Sequence, residues 1–222
     1  MKKLIIFDLD GTLVNSIADL ACSTNYALKT CGFPEHQTDE YRYFVGSGIS
    51  VLFERALPAD ARTEENIQKI RTSFLEHYNL HNTDHSRPYE GMPELLETLV
   101  RDGYKMAVAS NKYQQATEQI IRKLFPGIPF FPVFGQREGV PRKPDPRIVE
   151  EILENTGTSR AETLYVGDSA IDMQTARQAQ VTACGVTWGF RPRSELETYE
   201  PEYIVDKPAE IYSILKQENH PE

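Results

Sequence analysis

Two aspartates, Asp8 and Asp10, come directly after a short apolar run near the start of the chain. Two carboxylates separated by one residue at the end of a buried strand are costly unless they bind a cation or take part in chemistry. Gly11 allows the chain to turn sharply after them, and Thr12 can present a hydroxyl or a backbone N–H group to an anion. This pattern predicts a ligand site, and the alternative interpretation is a surface turn after an edge strand.

A second acidic pair, Asp168 and Asp172, also follows an apolar run, and its members are one helical turn apart. By itself the pair could be an ordinary helix start, with Asp168 as the N-cap and Asp172 on a solvated face. If both pairs lie at strand ends of one parallel sheet, however, their carboxylates converge. Unit charges about 4 Å apart repel by roughly 4 kcal/mol at an effective dielectric constant of about 20. Such a cluster requires a cation, and its hard oxygen ligands favour Mg²⁺ over zinc.

Two further segments carry groups that are suited to binding an anion. Ser110 and Asn111 follow another apolar run, so that a hydroxyl and an amide could bind phosphate oxygens at a helix start. Lys143 directly precedes a proline-stiffened helix start, which would hold its ammonium group beside a phosphate or acyl-phosphate oxygen. The alternative interpretations are a plain N-cap at Ser110 and Asn111 and a solvated loop lysine at Lys143.

The elements that must position these residues alternate along most of the chain. Short apolar runs, typical of buried parallel strands, are separated by helical patterns. The predicted strands cover residues 4–7, 105–109, 130–134, 163–166 and 181–188, and the predicted helices cover residues 93–101, 114–124, 146–155 and 171–180. This alternation indicates right-handed βαβ units and hence the α/β class, with a Rossmann-like parallel sheet that has helices on both faces.

Residues 15–88 interrupt this alternation, because they contain helical patterns with no convincing strand between them. Ser16, followed by Asp19 three residues later, resembles a capping box that opens the first of these helices. We therefore predict an all-helical cap domain at residues 15–88. It is inserted into a catalytic core that is formed by residues 1–14 and 89–222.

The composition limits the partners and the compartment of the protein. The chain has 222 residues, and its 24 Lys and Arg against 33 Asp and Glu give a formal net charge of −9, which argues against a nucleic-acid partner. Cys22, Cys31 and Cys184 lack metal-binding spacing and favour a reducing cytosol. Asp8 ends the first apolar run too early for a signal peptide, and no stretch approaches the ~20 apolar residues of a membrane span. We expect a cytoplasmic monomer or homodimer that binds neither nucleic acid nor membrane.

Taken together, the motifs resemble those of the haloacid dehalogenase superfamily. In chain order they are Asp-Xaa-Asp-Gly-Thr, Ser-Asn, Lys-Pro and Gly-Asp-Ser-Xaa-Xaa-Xaa-Asp, and the resemblance spans residues 3–190. It is to the phosphatase branch with a helical cap, and residues 44–48 and 188–191 are similar to patterns of the phosphoglycolate phosphatases. Asp10 separates the chain from the ion-pumping ATPases and the dehalogenases of this superfamily, which lack an aspartate there.

The resemblance implies a role for each motif residue. Asp8 would be the nucleophile that forms an aspartyl-phosphate. Asp10 would protonate the leaving alcohol and then activate the attacking water. The residues implied to contact the transferring phosphoryl group are Thr12, Ser110, Asn111 and Lys143, with Lys143 also counted as catalytic. The residues implied to bind Mg²⁺ are Asp8, Asp10 through its backbone carbonyl, and Asp168, with Asp172 in the outer shell.

The expected activity is Mg²⁺-dependent hydrolysis of a small phosphate monoester from a phosphorylated metabolite such as phosphoglycolate. The carboxylate of such a substrate would need a cationic partner, and the candidates are Arg42, Arg55 and Arg191. One alternative is a sugar-phosphate mutase, which returns the phosphoryl group to a bound intermediate. Another is a non-catalytic regulator that binds a phosphorylated metabolite. Phosphonate cleavage would need a reactive cap lysine, and Lys29 and Lys69 lie in patterns typical of solvated helix faces.

Overall fold

The computed structural model describes residues 1–219, and a parallel sheet of six strands lies at its centre. Two further short strands, β2 and β3, form a separate pair. In chain order, all the strands of the described residues are β1 (Leu4–Phe7), β2 (Val14–Asn15), β3 (Arg87–Pro88), β4 (Lys105–Tyr113), β5 (Phe130–Gln136), β6 (Thr163–Gly167), β7 (Thr182–Val186) and β8 (Tyr203–Val205). The helices are α1 (Ile17–Thr30), α2 (Tyr41–Phe44), α3 (Ile49–Ala56), α4 (Glu64–His81), α5 (Met92–Arg101), α6 (Gln114–Leu124), α7 (Arg147–Thr156), α8 (Ala170–Ala179), α9 (Arg193–Glu197) and α10 (Pro208–Asn219). None of the helices within residues 1–219 is both long enough and apolar enough to cross a membrane.

The strands of the sheet follow the order β5-β4-β1-β6-β7-β8, so that β1 is central. Phe7 of β1 lies opposite Val108 of β4 and Val166 of β6. Because these strands run parallel and in register, the polar residues that follow them emerge at one edge of the sheet. The short strand β8 was not among the predicted strands, since its three residues form no apolar run of the usual length.

Side chains of β1 alternate between two apolar layers, one on each face of the sheet. Ile5 and Phe7 belong to the layer that contains side chains of α5, α6 and α10. Leu4 and Ile6 belong to the layer that contains side chains of α7 and α8. A strand that is apolar on both faces is typical of a parallel sheet covered by helices on both sides. The structure confirms the predicted α/β class.

Helices α1 to α4 contribute most of a separate apolar cluster, whose fully buried aromatic side chains are Tyr41, Phe53, Phe74 and Tyr78. Strands β2 and β3 pair antiparallel at the point where the chain leaves the sheet and returns to it, with Val14 opposite Pro88. This pair was not predicted, because each of its strands has only two residues. The predicted boundary between core and cap separates Val14 from its partner Pro88, and this division stays a prediction. Residues 220–222 of the predicted core lie outside the described residues.

Candidate active site

The predicted motifs meet at the edge where the parallel strands end. Asp8 follows β1, Ser110 and Asn111 lie in the last part of β4, and Asp168 follows β6. Lys143 of the Lys-Pro motif approaches from the connection between β5 and α7. Since β4 continues to Tyr113 and α6 starts only at Gln114, Ser110 and Asn111 are strand residues, and the expectation that they begin or cap a helix is wrong.

Three buried aspartates form an acidic cluster at this edge. One carboxylate oxygen from each of Asp8, Asp168 and Asp172 lies within 4.8 Å of the other two. Burial and the charge of Asp172 raise the pKa of Asp8 to about 7. Burial and the charges of Asp172 and Asp8 raise the pKa of Asp168 well above its usual range. Oxygen donors with this excess of negative charge fit a hard divalent cation such as Mg²⁺.

Lys143 lies inside the acidic cluster. Its Nζ atom is 2.9 Å from Asp8 Oδ1, 2.7 Å from Asp172 Oδ1 and 3.0 Å from the hydroxyl of Tyr165. Burial opposes the charged form, but the charges of Asp172 and Asp8 hold the pKa of Lys143 well above its usual range. Because only 5% of this residue is exposed, the interpretation of Lys143 as a solvated loop residue is wrong.

Asp172 uses both of its carboxylate oxygens within the protein. Oδ1 accepts hydrogen bonds from Lys143 Nζ and from the Tyr165 hydroxyl, while Oδ2 accepts from the backbone N–H and the hydroxyl of Ser169. Ser169 is the N-cap residue of α8. The alternative interpretation, with Asp168 as N-cap and Asp172 on a solvated face, is therefore wrong. The saturated oxygens are compatible with an outer-shell role for Asp172, which stays a prediction.

Glycines allow the acidic side chains to pack this closely. A Cβ atom on Gly11 would lie 2.3 Å from Asp168 Oδ2, and one on Gly189 would lie 2.2 Å from Asp168 Cβ. A Cβ atom on Gly167 would lie 2.3 Å from the Cβ of Asp172. Sequence reasoning did not identify this crowding, because the fold decides which side chain approaches each glycine.

The carboxylate of Asp10 lies in a different arrangement, where it is paired with Lys112. Lys112 Nζ is 2.8 Å from Asp10 Oδ2 and 3.0 Å from Oδ1, and the Ser16 hydroxyl donates to Oδ1. The predicted capping box is wrong: Ser16 makes no side-chain cap, and Asp19 accepts hydrogen bonds from the backbone N–H and the hydroxyl of Ser86. Sequence reasoning did not select Lys112, although a lysine directly after the Ser-Asn motif was the available signal.

The side chains that are predicted to bind phosphate differ in the hydrogen bonds that they make within the protein. Ser110 lines the cavity described below, and its hydroxyl oxygen accepts a hydrogen bond from the backbone N–H of Lys112. The Thr12 hydroxyl is 3.4 Å from Asp168 Oδ1, which is a long contact for a hydrogen bond. The amide of Asn111 bonds the backbone N–H and carbonyl of Lys143 and the carbonyl of Gly46. Asn111 therefore joins the Lys143 loop to the loop between α2 and α3.

A cavity of about 50 Å³ opens in front of these residues. On the side of the sheet it is lined by Asp8, Asp10, Ser110, Asn111, Lys112 and Asp168. On the side of helices α1 to α4 its apolar wall contains Leu20, Val45, Ile49, Leu52 and Tyr78. The predicted site residues thus face a small cavity whose opposite wall is formed by residues of the inserted segment.

Of the three arginines considered for a substrate carboxylate, only Arg191 lines this cavity. Its guanidinium donates hydrogen bonds to the backbone carbonyls of Arg42 and Val45. The Arg42 side chain lies 3.5 Å from Asp39, and Arg55 donates to backbone carbonyls at an exposed position. The geometry thus favours Arg191 over Arg42 and Arg55 as the partner of an anion in the cavity.

Comparisons with known proteins agree on one family. A family model described as haloacid dehalogenase-like hydrolase matches residues 5–186. A phosphoglycolate phosphatase of Agrobacterium fabrum is 34% identical, over 97% of this chain and 93% of the relative. A phosphoglycolate phosphatase of Mesorhizobium japonicum is 33% identical, over 92% of this chain and 90% of the relative. A crystal structure from Lactobacillus delbrueckii subsp. bulgaricus, provisionally assigned as a phosphoglycolate phosphatase, has a TM-score of 0.91 and 31% identity and covers 97% of this chain and 99% of that one.

Proposed function

The chain belongs to the haloacid dehalogenase-like hydrolases, and we propose that it is a Mg²⁺-dependent phosphatase of a small phosphate monoester, with phosphoglycolate as the candidate substrate. The observation that carries this proposal is the ion pair between Asp8 and the buried Lys143, 2.9 Å apart, next to a small cavity that Asp8 and Asp168 line. This arrangement supplies a nucleophile and a fixed positive charge for phosphoryl oxygens.

In the first step, a carboxylate oxygen of Asp8 attacks phosphorus and the bond between phosphorus and the leaving oxygen breaks. Protonated Asp10 gives its proton to the leaving alcohol. In the second step, the Asp10 carboxylate takes a proton from water while the water oxygen attacks the aspartyl-phosphate. Phosphate then leaves, Asp8 is regenerated as a carboxylate, and Asp10 is protonated for the next turnover.

The transferring group would be held by residues at the edge of the sheet. The Ser110 hydroxyl and the Lys143 ammonium would contact its oxygens. The predicted phosphate contact of the Thr12 hydroxyl would replace its long contact of 3.4 Å with Asp168 Oδ1. Asn111 would assist by holding the Lys143 loop, and a direct phosphate contact, as predicted, would require it to give up one of its backbone partners.

The carboxylates of Asp8 and Asp168, with the backbone carbonyl of Asp10, would hold Mg²⁺. The ion would neutralise charge that develops on the phosphoryl oxygens. Asp172 would stay in the outer shell, where it orients Lys143. The raised pKa of Asp8 supports this assignment, since a bound cation would stabilise the carboxylate form that the attack requires.

The lining of the cavity supports a small phosphorylated acid as substrate, because Ser110 and the basic side chains of Lys112 and Arg191 all lie on its wall. The names of the similar relatives support the same substrate class. Arg191 is the candidate partner for the carboxylate of the leaving group.

The test is a phosphate-release assay with Mg²⁺ over a panel of phosphorylated small acids, alcohols and sugars. We expect release from 2-phosphoglycolate, and we expect Asp8→Asn to retain less than about a hundredth of the parent rate with an unchanged far-UV circular dichroism spectrum. Isomerised sugar phosphate without free phosphate would instead support the mutase. Ligand binding without turnover of any ester would support the regulator.

A further inference from the structure

Lys112 is a buried cation that the proposed reaction does not yet use. Its side chain is 3% exposed, and its Nζ atom contacts both carboxylate oxygens of Asp10. Lysine is rarely buried without a partner, because removing the ammonium group from water is costly. The partner, Asp10, lies 102 positions away in the chain, just after β1, whereas Lys112 lies in the neighbouring strand β4. Local structure therefore does not account for this pair.

The surroundings of Lys112 hold its ammonium group in place. The backbone of Lys112 is packed against β5 so closely that a Cβ atom on Gly135 would lie 2.5 Å from the Lys112 carbonyl oxygen. The Nζ atom lies 5.0 Å from the centre of the Tyr78 ring, on the apolar wall of the cavity. The ammonium group is thus enclosed by fixed groups on the strand side and on the helical side.

Ser16 and Lys112 restrict the orientation of the Asp10 carboxyl group to different extents. The Ser16 hydroxyl reaches only Oδ1, so it leaves the carboxyl plane free to turn about that contact. Lys112 reaches both oxygens, at 2.8 and 3.0 Å, and so restricts the plane as well. Asp10 itself lines the cavity. The orientation of the Asp10 carboxyl towards a bound leaving group therefore depends chiefly on Lys112.

We propose that Lys112 is a positioning residue, which holds the Asp10 carboxyl group in the orientation from which it exchanges a proton with the leaving oxygen. This inference rests on the proposed function, in which Asp10 is the acid of the first step. Lys112 acts through Asp10 and forms no bond to the substrate in this role. Losing it should matter most for leaving groups that need a proton.

This requirement defines a comparison between two small substrates. The alkoxide that would leave from 2-phosphoglycolate is a strong base and needs protonation as the bond to phosphorus breaks. The carboxylate that leaves from acetyl phosphate is a weak base and needs none. The ratio kcat/KM reports the steps up to release of the leaving group, so the later use of Asp10 as a base does not enter the comparison.

The experiment measures kcat/KM for both substrates with the parent protein, Lys112→Met, Asp10→Asn and the matched control Lys105→Met. Lys105 is an exposed lysine at the opposite end of the same strand. We expect Lys112→Met to lose at least ten-fold more kcat/KM on 2-phosphoglycolate than on acetyl phosphate. Asp10→Asn should share this selectivity, and Lys105→Met should behave like the parent.

Equal losses on the two substrates for Lys112→Met, with selective losses for Asp10→Asn, would overturn the role of Lys112 and leave the proposed function standing. Equal losses for Asp10→Asn would remove the acid on which the inference rests. A parent protein that hydrolyses neither substrate would overturn both proposals. Because a ratio of two substrates is compared within each variant, a partly unfolded preparation would lower both values alike and could not imitate the selective result.

Discussion

Replacing Gly11 by alanine tests how closely the acidic cluster is packed. Gly11 has a φ of +88°, and a Cβ atom there would lie 2.3 Å from Asp168 Oδ2 and 2.8 Å from Oδ1. Ordinary van der Waals contact begins near 3.4 Å, so the Asp168 carboxylate must move by about 1 Å. The substitution therefore changes both the backbone strain and the position of a proposed metal ligand.

The two effects have different magnitudes and different consequences. A non-glycine residue held at positive φ costs about 1–3 kcal/mol of folding free energy. A displacement of about 1 Å in a catalytic constellation can lower the rate by roughly 100-fold. We expect Gly11→Ala to lower kcat by about two orders of magnitude and to raise the Mg²⁺ concentration that gives half-maximal activity.

Gly103→Ala is the matched control, because Gly103 has a φ of +77° but nothing within 4 Å of the position of its Cβ atom. It should lose a similar free energy of unfolding and keep its activity. The assays are phosphate release against Mg²⁺ concentration and urea denaturation followed by circular dichroism. If Gly11→Ala keeps as much activity as Gly103→Ala, the close packing of Gly11 against Asp168 does not control the site.

Two further predictions concern the acidic cluster. EDTA should abolish phosphate release and added Mg²⁺ should restore it, whereas activity that is indifferent to chelation would contradict the metal assignment. In metal-free protein, burial and Asp172 raise the pKa of Asp8 from 3.8 to about 7, so the folded state binds a proton that the unfolded state releases. The stability this proton provides is complete below about pH 4 and is lost as the pH rises through about 7. The Tm of the parent relative to Asp8→Asn should fall over this range, and a constant difference would refute the assignment.

The sheet and the position of its motifs could be predicted because their signals are local. The run Leu4 to Phe7 is fully buried, as its composition indicates, and the acidic residues after β1 and β6 follow apolar runs of the same kind. Parallel strands place their carboxyl ends at one edge, so convergence of the motifs followed from the fold class. The strands with two or three residues were missed, because pairing rather than composition creates them.

The partners of the polar side chains were not predictable in the same way. Ser16 and Asp19 have the spacing of a capping box, but Asp10 and Ser86 offer better partners in the folded chain. The predicted phosphate contact of Asn111 stays a prediction, and the local sequence did not indicate that its amide joins two loops. At Ser16 and Asp19, a contact made by the fold replaces the contact that the local pattern suggests.

The sequence by itself determined the α/β class, and it predicted the helical patterns of residues 15–88 and the residues that could attack, protonate or bind a phosphate ester. The first two depend on short apolar runs and helix periodicity, and the residue roles come from the resemblance to a known family and the chemistry of single side chains. Only the tertiary structure decided that Lys143 lies between Asp8 and Asp172, that Lys112 pairs with Asp10 and that glycine must face Asp168. The reason is physical: a buried charge is stabilised by an opposite charge that is close in space, and strand order and helix packing bring together residues that are distant in the chain.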